Sequence, residues 1–234
     1  MTSPPLTFLR IPYTISTIDI GHLSRLEVVQ PDATRRRRLT AAISLLGILL
    51  SIAAFHVAVL GRFEYFEDAV RVEGWGAVFF SIGAAVSALI VVPMAVFHIR
   101  DMAQIPAKPI TWLFMGFGFG VATPILTGGL TRISGVFAGL AEGVYGVGSL
   151  PSLLLDAVII FPYDMFVQGA PNVYAGLLSG GFFAIIGFFV DRLNAMKAEM
   201  VSMWGPWILT VGLGMPIMVF TLVGPTEFLR DLVR

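Results

Sequence analysis

The residues of this chain that could do chemistry are carboxylates set in apolar surroundings. The stretch "SLLLDAVIIFPYDMF", residues 152–166, carries Asp156 and Asp164 beside Pro162, and Glu142 stands in the apolar run just before it. An ionised carboxylate at the centre of a bilayer costs at least about 2.5 kcal/mol, so such residues face a cavity, water or a partner. The chemistry this favours is the holding of a polar solute. Nothing points to hydrolysis, because the chain has no Ser/His/Asp set, no HExxH and no rhomboid-like serine motif. Glu142, Tyr145, Asp156, Tyr163, Asp164, Gln168 and Asn172 are the candidate solute-binding residues, and no catalytic residue or metal ligand is assigned. The competing reading places 131–171 partly in an outer aqueous layer, where the carboxylates are simply solvated. Arg132 is ten residues from Glu142, about 15 Å along a helix, so its expected partner is Asp164 or a carboxylate of another span.

Composition says what must carry these residues. The chain has 234 residues, 56% of them hydrophobic and only 13% charged, with a mean hydropathy of +0.85. A soluble domain carries about 25% charged residues, so the expected class is an all-α integral membrane protein. The formal net charge is zero, which gives no reason to expect nucleic acid. With no cysteine, disulfides, thiolate metal sites and cysteine nucleophiles are excluded together. His56 and His98 fall near opposite ends of two neighbouring spans, so a shared haem or metal is not expected, and no cofactor is implied.

Apolar runs at 39–61, 75–99, 110–130, 172–190 and 205–224 each have the length that a helix needs to cross hydrocarbon. Lipid offers no partner to backbone groups, so these runs are helices; barrel strands would be shorter and alternating. Residues 1–38 form an N-terminal tail interrupted by four prolines, with an amphipathic piece near 15–29, and 225–234 form a short C-terminal tail. The first apolar run starts so far along the chain that a retained span is expected, not a cleaved leader. Between the third and fourth secure spans, 133–168 divides at "VGSLPS" into two arms of marginal length. Either both cross, giving seven spans, or both dip in and return as a re-entrant pair with the loop toward the cytoplasm. In that arrangement Tyr163, Asp164, Gln168 and Asn172 would edge an outward-facing pocket, and Glu142, Tyr145 and Asp156 would lie deeper.

Basic residues set the orientation. With the N-terminus in the cytoplasm, the inner segments hold Arg10, Arg25, the run Arg35, Arg36, Arg37 and Arg38, then Arg100, Lys108, Arg192 and Lys197, most of the 15 basic residues. Positive charge favours the cytoplasmic side, so the N-terminus is expected inside and the C-terminus outside, in a plasma or bacterial-type inner membrane. Trp75, Trp112, Trp204 and Trp207 fall near span ends, where indoles favour the headgroup region.

Small residues mark helix contacts. Gly135, Gly139 and Gly143 recur every four residues, as do Gly176 and Gly180, and such faces let helix backbones approach closely in lipid. The third span, "WLFMGFGFGVATPILTGGL", is so rich in glycine around Pro124 that it either kinks or unwinds into a broken helix of the kind that binds substrates in transporters.

The stretch "TRISGVFAGLAEGVYGVGSLPSLLLDAVIIF" resembles the membrane-embedded substrate-binding components of energy-coupling factor vitamin transporters. It does so in the order of Arg132, Gly135, Gly139, Glu142 and Asp156, followed by "YAGLLSGGFFAIIGFFVDRL" as a late span. The resemblance covers about 123–192. It implies an all-helical protein of about six spans that captures a small organic nutrient and passes it through a separate transmembrane and ATPase module. The long N-terminal tail, the acidic 62–74 loop and a span at 205–224 depart from that pattern, and no Walker motif occurs. A membrane transport protein, or the substrate-binding subunit of one, is thus the first expected function. Its partners would be the lipid bilayer, other membrane subunits and a small-molecule solute. A non-catalytic scaffold subunit of a respiratory or photosynthetic type of complex is the alternative, suggested by 19 phenylalanines and the packing glycines.

Overall fold

A computed structural model describes residues 33–60, 75–98 and 106–223. Among these the chain is all helix: α1 Ala33–Leu60, α2 Trp75–His98, α3 Pro109–Ala141, α4 Leu150–Asp164, α5 Val173–Asn194 and α6 Glu199–Val223. Short 3₁₀ turns at Val147–Ser149 and Ala170–Asn172, and a π turn at Met165–Gly169, lie around α4. Five helical runs are long and apolar enough to cross a membrane: α1, α2, α3, the combined 147–194 run and α6. Residues 1–32, the 62–74 loop and the C-terminal tail lie outside the described residues, whereas 33–38, expected as the end of the N-terminal tail, form the first turns of α1.

The bundle is built as lipid requires, with small and hydroxyl residues inside and large apolar residues outside. Ser51, Ser87, Thr123, Ser134, Ser179 and Thr210 are buried, whereas Leu113, Phe114, Phe117, Leu178 and Ile185 are exposed. The large buried side chains gather in one half of the bundle. Leu39, Ile43, Leu46 and Leu50 on α1, spaced three and four apart to share one face, meet Val92, Trp112, Phe119, Phe183 and Val190. Phe119 and Phe183 stack with centroids 4.5 Å apart.

Helix α3 is the longest element, and the glycines it carries explain its pairing with α5. A Cβ added at Gly116 would run into the Gly180 carbonyl and Ala184, and one at Gly120 would lie 2.7 Å from the Gly176 carbonyl oxygen. Gly187 faces the Trp112 ring in the same way. Backbones this close gain dispersion over their whole length, the main attraction between helices in lipid. Pro124 lies inside α3 without unwinding it. Its missing N–H frees the Gly120 carbonyl of a helical partner, and that carbonyl lies against Gly176. The third span is therefore an unbroken helix, and the break falls in its neighbour.

The 133–168 hairpin differs from the expected geometry. Its first arm is the last turns of α3, and its second arm, α4, runs back antiparallel and continues through the π and 3₁₀ turns into α5. With 33 residues, α3 is about 50 Å long, against roughly 30 Å for hydrocarbon. The hairpin thus lengthens two existing helices. Its turn lies at the end of the bundle where Trp75 begins α2, since the Trp75 amide donates to Glu142 Oε1 at 3.2 Å.

The opposite end collects the basic residues. Arg38 Nη1 donates to the Ser202 carbonyl at 3.1 Å and Asn194 Nδ2 to the Arg35 carbonyl at 3.2 Å, joining the start of α1 to the end of α5 and the start of α6. Arg192 lies over the Phe188 ring, 5.0 Å from its centroid. The hairpin turn is therefore at the end remote from the arginines. A loop toward the arginine-rich side is not what the chain forms.

Candidate functional site

Helix α4 passes into α5 through a π turn and a 3₁₀ turn within one helical run, and the sequence explains this departure from regular α-helix. Pro171 brings no N–H to the ladder, and Pro162 lies inside α4 two residues before its end. Gly169 has no side chain, so the wide π turn presses directly on α3: a Cβ there would lie 2.6 Å from Ile125 Cα and 2.8 Å from the Pro124 carbonyl oxygen. Gly128 meets Gly169 from the other side. π turns inside helices free carbonyl groups and occur often at functional sites. One of the freed groups, the Gln168 carbonyl, accepts from Asn172 Nδ2 at 2.7 Å.

A line of polar groups descends along this break. Arg132 Nε donates to Asp164 Oδ2 at 2.9 Å, an ion pair whose arginine side chain is 43% exposed and whose aspartate is 2% exposed. Gln168 Nε2 reaches Asp164 Oδ1 at 3.4 Å, and Asn172 follows one turn deeper. Asp164, Gln168 and Asn172 recur every four residues, so one helix face presents all three.

The line ends at a small pocket of about 20 Å³ between α1, α3 and the break, lined by Ser51, Phe55, Thr123, Thr127, Asn172 and Ser179. Three of its hydroxyls spend their protons elsewhere. Ser51 donates to the Ala84 carbonyl at 2.7 Å, Ser179 to the Gly176 carbonyl at 2.8 Å and Thr127 to the Thr123 carbonyl at 2.8 Å. Two buried oxygens, Thr123 Oγ1 and Asn172 Oδ1, have no hydrogen-bond partner. A buried polar atom without a partner costs roughly 1–3 kcal/mol, and native structures keep few of them.

A second polar centre holds the arginine-rich end. Asp191, fully buried, accepts from the Ala107 amide at 2.7 Å and from Trp112 Nε1 at 3.1 Å, both on Oδ2. The carboxylate thereby ties Ala107, just before α3, and an indole of the first turn of α3 to α5. Trp112 is thus a buried core residue and not an interfacial anchor; the indole N–H finds its partner inside. Trp75 and Trp204 remain exposed.

The expected site residues divide in two. Asp164, Gln168 and Asn172 come together along the break, and Asp164 pairs with Arg132. Glu142, Tyr145 and Asp156 do not join them. All three are exposed at or near the hairpin turn, where Glu142 follows α3 and Tyr145 packs its ring on Gly139. Tyr163 is exposed at 65%. The order of depth is the reverse of the expected one, with Asn172 deepest and Glu142 outermost, because the hairpin arms extend α3 and α5. Gly143 ends the helix at φ +73°, and Gly135 touches nothing, so these two do not pack helices. Arg35, Arg36, Arg37 and Arg38 occupy the first turns of α1. Sequence reading missed Ser51, Thr123, Thr127 and Ser179, whose only signal was a hydroxyl in an apolar span. It also missed Asp191, which had the look of a loop charge beside Arg192. His56 is buried, with Nε2 3.1 Å from Ser81 Oγ, and among the described residues no group of three His, Asp or Glu could hold a metal.

No protein-family model, curated protein or solved structure matches this chain.

Proposed function

We propose that this chain is a membrane transport protein, or the solute-binding membrane subunit of one, with its solute site at the break between α4 and α5. The observation that carries the reading is the pocket at that break. It lies between unbroken neighbours, two of its buried oxygens lack partners, and a polar line leads to it from Arg132. Transporters use interrupted helices in this way, because backbone and side-chain groups freed from the helical ladder can bind a solute in a dry bilayer. The resemblance of 123–192 to substrate-binding components of vitamin transporters supports solute binding within the membrane, not the size of the solute. Its acidic residues, Glu142 and Asp156, would serve at the outer mouth. No catalytic role is assigned.

In the membrane we propose five crossings, with the N-terminus in the cytoplasm and the C-terminus outside. The support is the common end of Arg35–Arg38, Lys108, Arg192 and Lys197 and the preference of basic residues for the cytoplasmic face. The continuity of α3 through residues 109–141 supports a single crossing there rather than extra crossings within 133–168. A plasma or bacterial-type inner membrane suits this charge pattern.

A second reading, a scaffold subunit of a larger membrane complex, is favoured by one observation. Gly47 of α1 lies against Phe119 of α3, so α1 ends near the level of Arg132, and the hairpin apex extends about 14 Å further. That apex exposes Val147 at 73%, Leu155 at 61% and Ile159 at 66%, apolar surface suited to neighbouring subunits. Native mass spectrometry of the protein extracted from its own membranes separates the two readings. A bound small molecule, lost in Asn172→Leu, is the transport result; a solute-free chain held among many subunits is the scaffold result.

A further inference from the structure

The lining of the pocket at the break restricts what it can hold, and the restriction rests on the transport reading above. Its hydroxyls at Ser51 and Ser179 have donated their protons to backbone carbonyls, so toward the pocket they can only accept, and Thr127 Oγ1 is engaged by the Thr123 carbonyl and Ser87 Oγ. Asn172 Oδ1 is an acceptor by its chemistry and has no partner. Thr123, 3% exposed, leaves its hydroxyl unpartnered from the opposite wall. Thr123 and Asn172 line the pocket at one level, between the Gly120–Gly176 and Gly128–Gly169 contacts. Phe55 adds a ring, whose face is also electron-rich. The pocket is thus rich in acceptors and poor in donors.

Charge and size narrow the class further. No charged side chain lines the pocket; Asp164 is two turns away along the helix and already paired with Arg132. A fixed cation there would lack a countercharge in a medium where that is costly. The volume of about 20 Å³ is that of one or two water molecules, since about 10–15 Å³ suffices for one. It is far below the 300–1,000 Å³ of sites for drug-sized ligands. We infer that the pocket is a binding and passage site for an uncharged hydrogen-bond donor of one to three heavy atoms, the chemistry shared by water, ammonia and methylamine, and not for an organic nutrient. Such a solute would donate to Asn172 Oδ1 and accept from the Thr123 hydroxyl, matching both orphaned atoms at once.

The test uses the full chain in sealed proteoliposomes, with Thr123→Val and Asn172→Leu, which keep the branching of each side chain and remove the unmatched oxygens; the leucine also removes the Nδ2 donor to the Gln168 carbonyl. Radiolabelled methylamine uptake and osmotic water flux by light scattering are read against empty vesicles, and far-UV circular dichroism verifies the fold. Protein-dependent flux of methylamine, or of water alone, that falls tenfold or more in both folded variants supports the inference and says which solute passes. Flux that is unchanged in both variants overturns it. If a mixture of larger nutrients is taken up and neither small probe moves, the inference fails and the transport reading survives. If no solute moves at all, both fail. Should one variant not fold, the other still decides, because the two oxygens lie on different helices.

Discussion

Replacing Asp191 with alanine tests whether one carboxylate fastens α3 to α5. The substitution leaves two buried donors, the Ala107 amide and the Trp112 indole, without an acceptor. Hydrogen bonds to a charged group contribute about 1.5–3 kcal/mol each, and stranded donors cost on the same scale. The loss is offset in part because a fully buried carboxylate, with Oδ1 unpartnered, is itself costly to desolvate. The net destabilisation is expected at about 2–4 kcal/mol. Asp191→Asn retains an acceptor oxygen and should lose about 1 kcal/mol. Trp112→Phe removes only one of the two donors, so a double-mutant cycle with Asp191→Ala isolates the indole bond; the expected coupling is about 1.5 kcal/mol. The assay is reversible unfolding in mixed micelles of dodecylmaltoside and increasing dodecyl sulfate, followed by far-UV circular dichroism. A coupling below about 0.5 kcal/mol, with Asp191→Ala as stable as the parent, would refute the reasoning, since distant independent sites behave that way.

Other outcomes follow from the same geometry. Arg132→Met strands the buried Asp164 and should cost about 2–3 kcal/mol, below the usual range for a buried pair because the arginine is half exposed; adding Asp164→Leu should restore most of it, as measured by the same unfolding assay. Gly128→Ala and Gly180→Leu place carbon against the Gly169 and Gly116 backbones and should abolish folded protein on size-exclusion chromatography, whereas Gly118→Ala, which meets nothing, should gain up to about 1 kcal/mol in the same helix. Thr123→Val should stabilise the solute-free protein by about 1 kcal/mol, because it deletes an unsatisfied buried hydroxyl; a fall in unfolding midpoint would mean that the hydroxyl has a partner.

The helices were legible in the sequence because span length and apolarity are set by the bilayer and need no tertiary knowledge. The end-to-end distribution of basic residues was legible for the same reason. Helical rise excluded Glu142 as the partner of Arg132 and left Asp164 or a carboxylate of another span; the structure selects Asp164. Where 133–168 runs was not legible. Two arms of marginal length look the same whether they cross, dip in or prolong existing helices, and only packing against α3 decides. The glycines of α3 suggested a weak helix, yet Gly116 and Gly120 are matched by close backbone in α5 and Gly128 by Gly169, and the departure from α-helix falls around Gly169 and Pro171 instead. Glu142 and Asp156 drew attention by charge. The residues that line the interior, Thr123, Ser51 and Ser179, carry no charge, and in an apolar span a hydroxyl also serves its own helix by bonding to a carbonyl one turn back. Asp191 was hidden by its neighbour, since an aspartate beside an arginine at a span end reads as solvated.

In the proposed orientation, the polar line from Arg132 connects the outer side of the membrane to the pocket at the break. The chain has no cysteine, so single cysteines placed at Gln168, Asn172 and, as a lipid-facing control, Ile185 can be challenged in sealed vesicles with a membrane-impermeant thiosulfonate added from the outside. The account predicts labelling at Gln168→Cys, slower labelling at Asn172→Cys and none at Ile185→Cys. Protection of both break positions, or reaction at Ile185→Cys as fast as at Asn172→Cys, would contradict it.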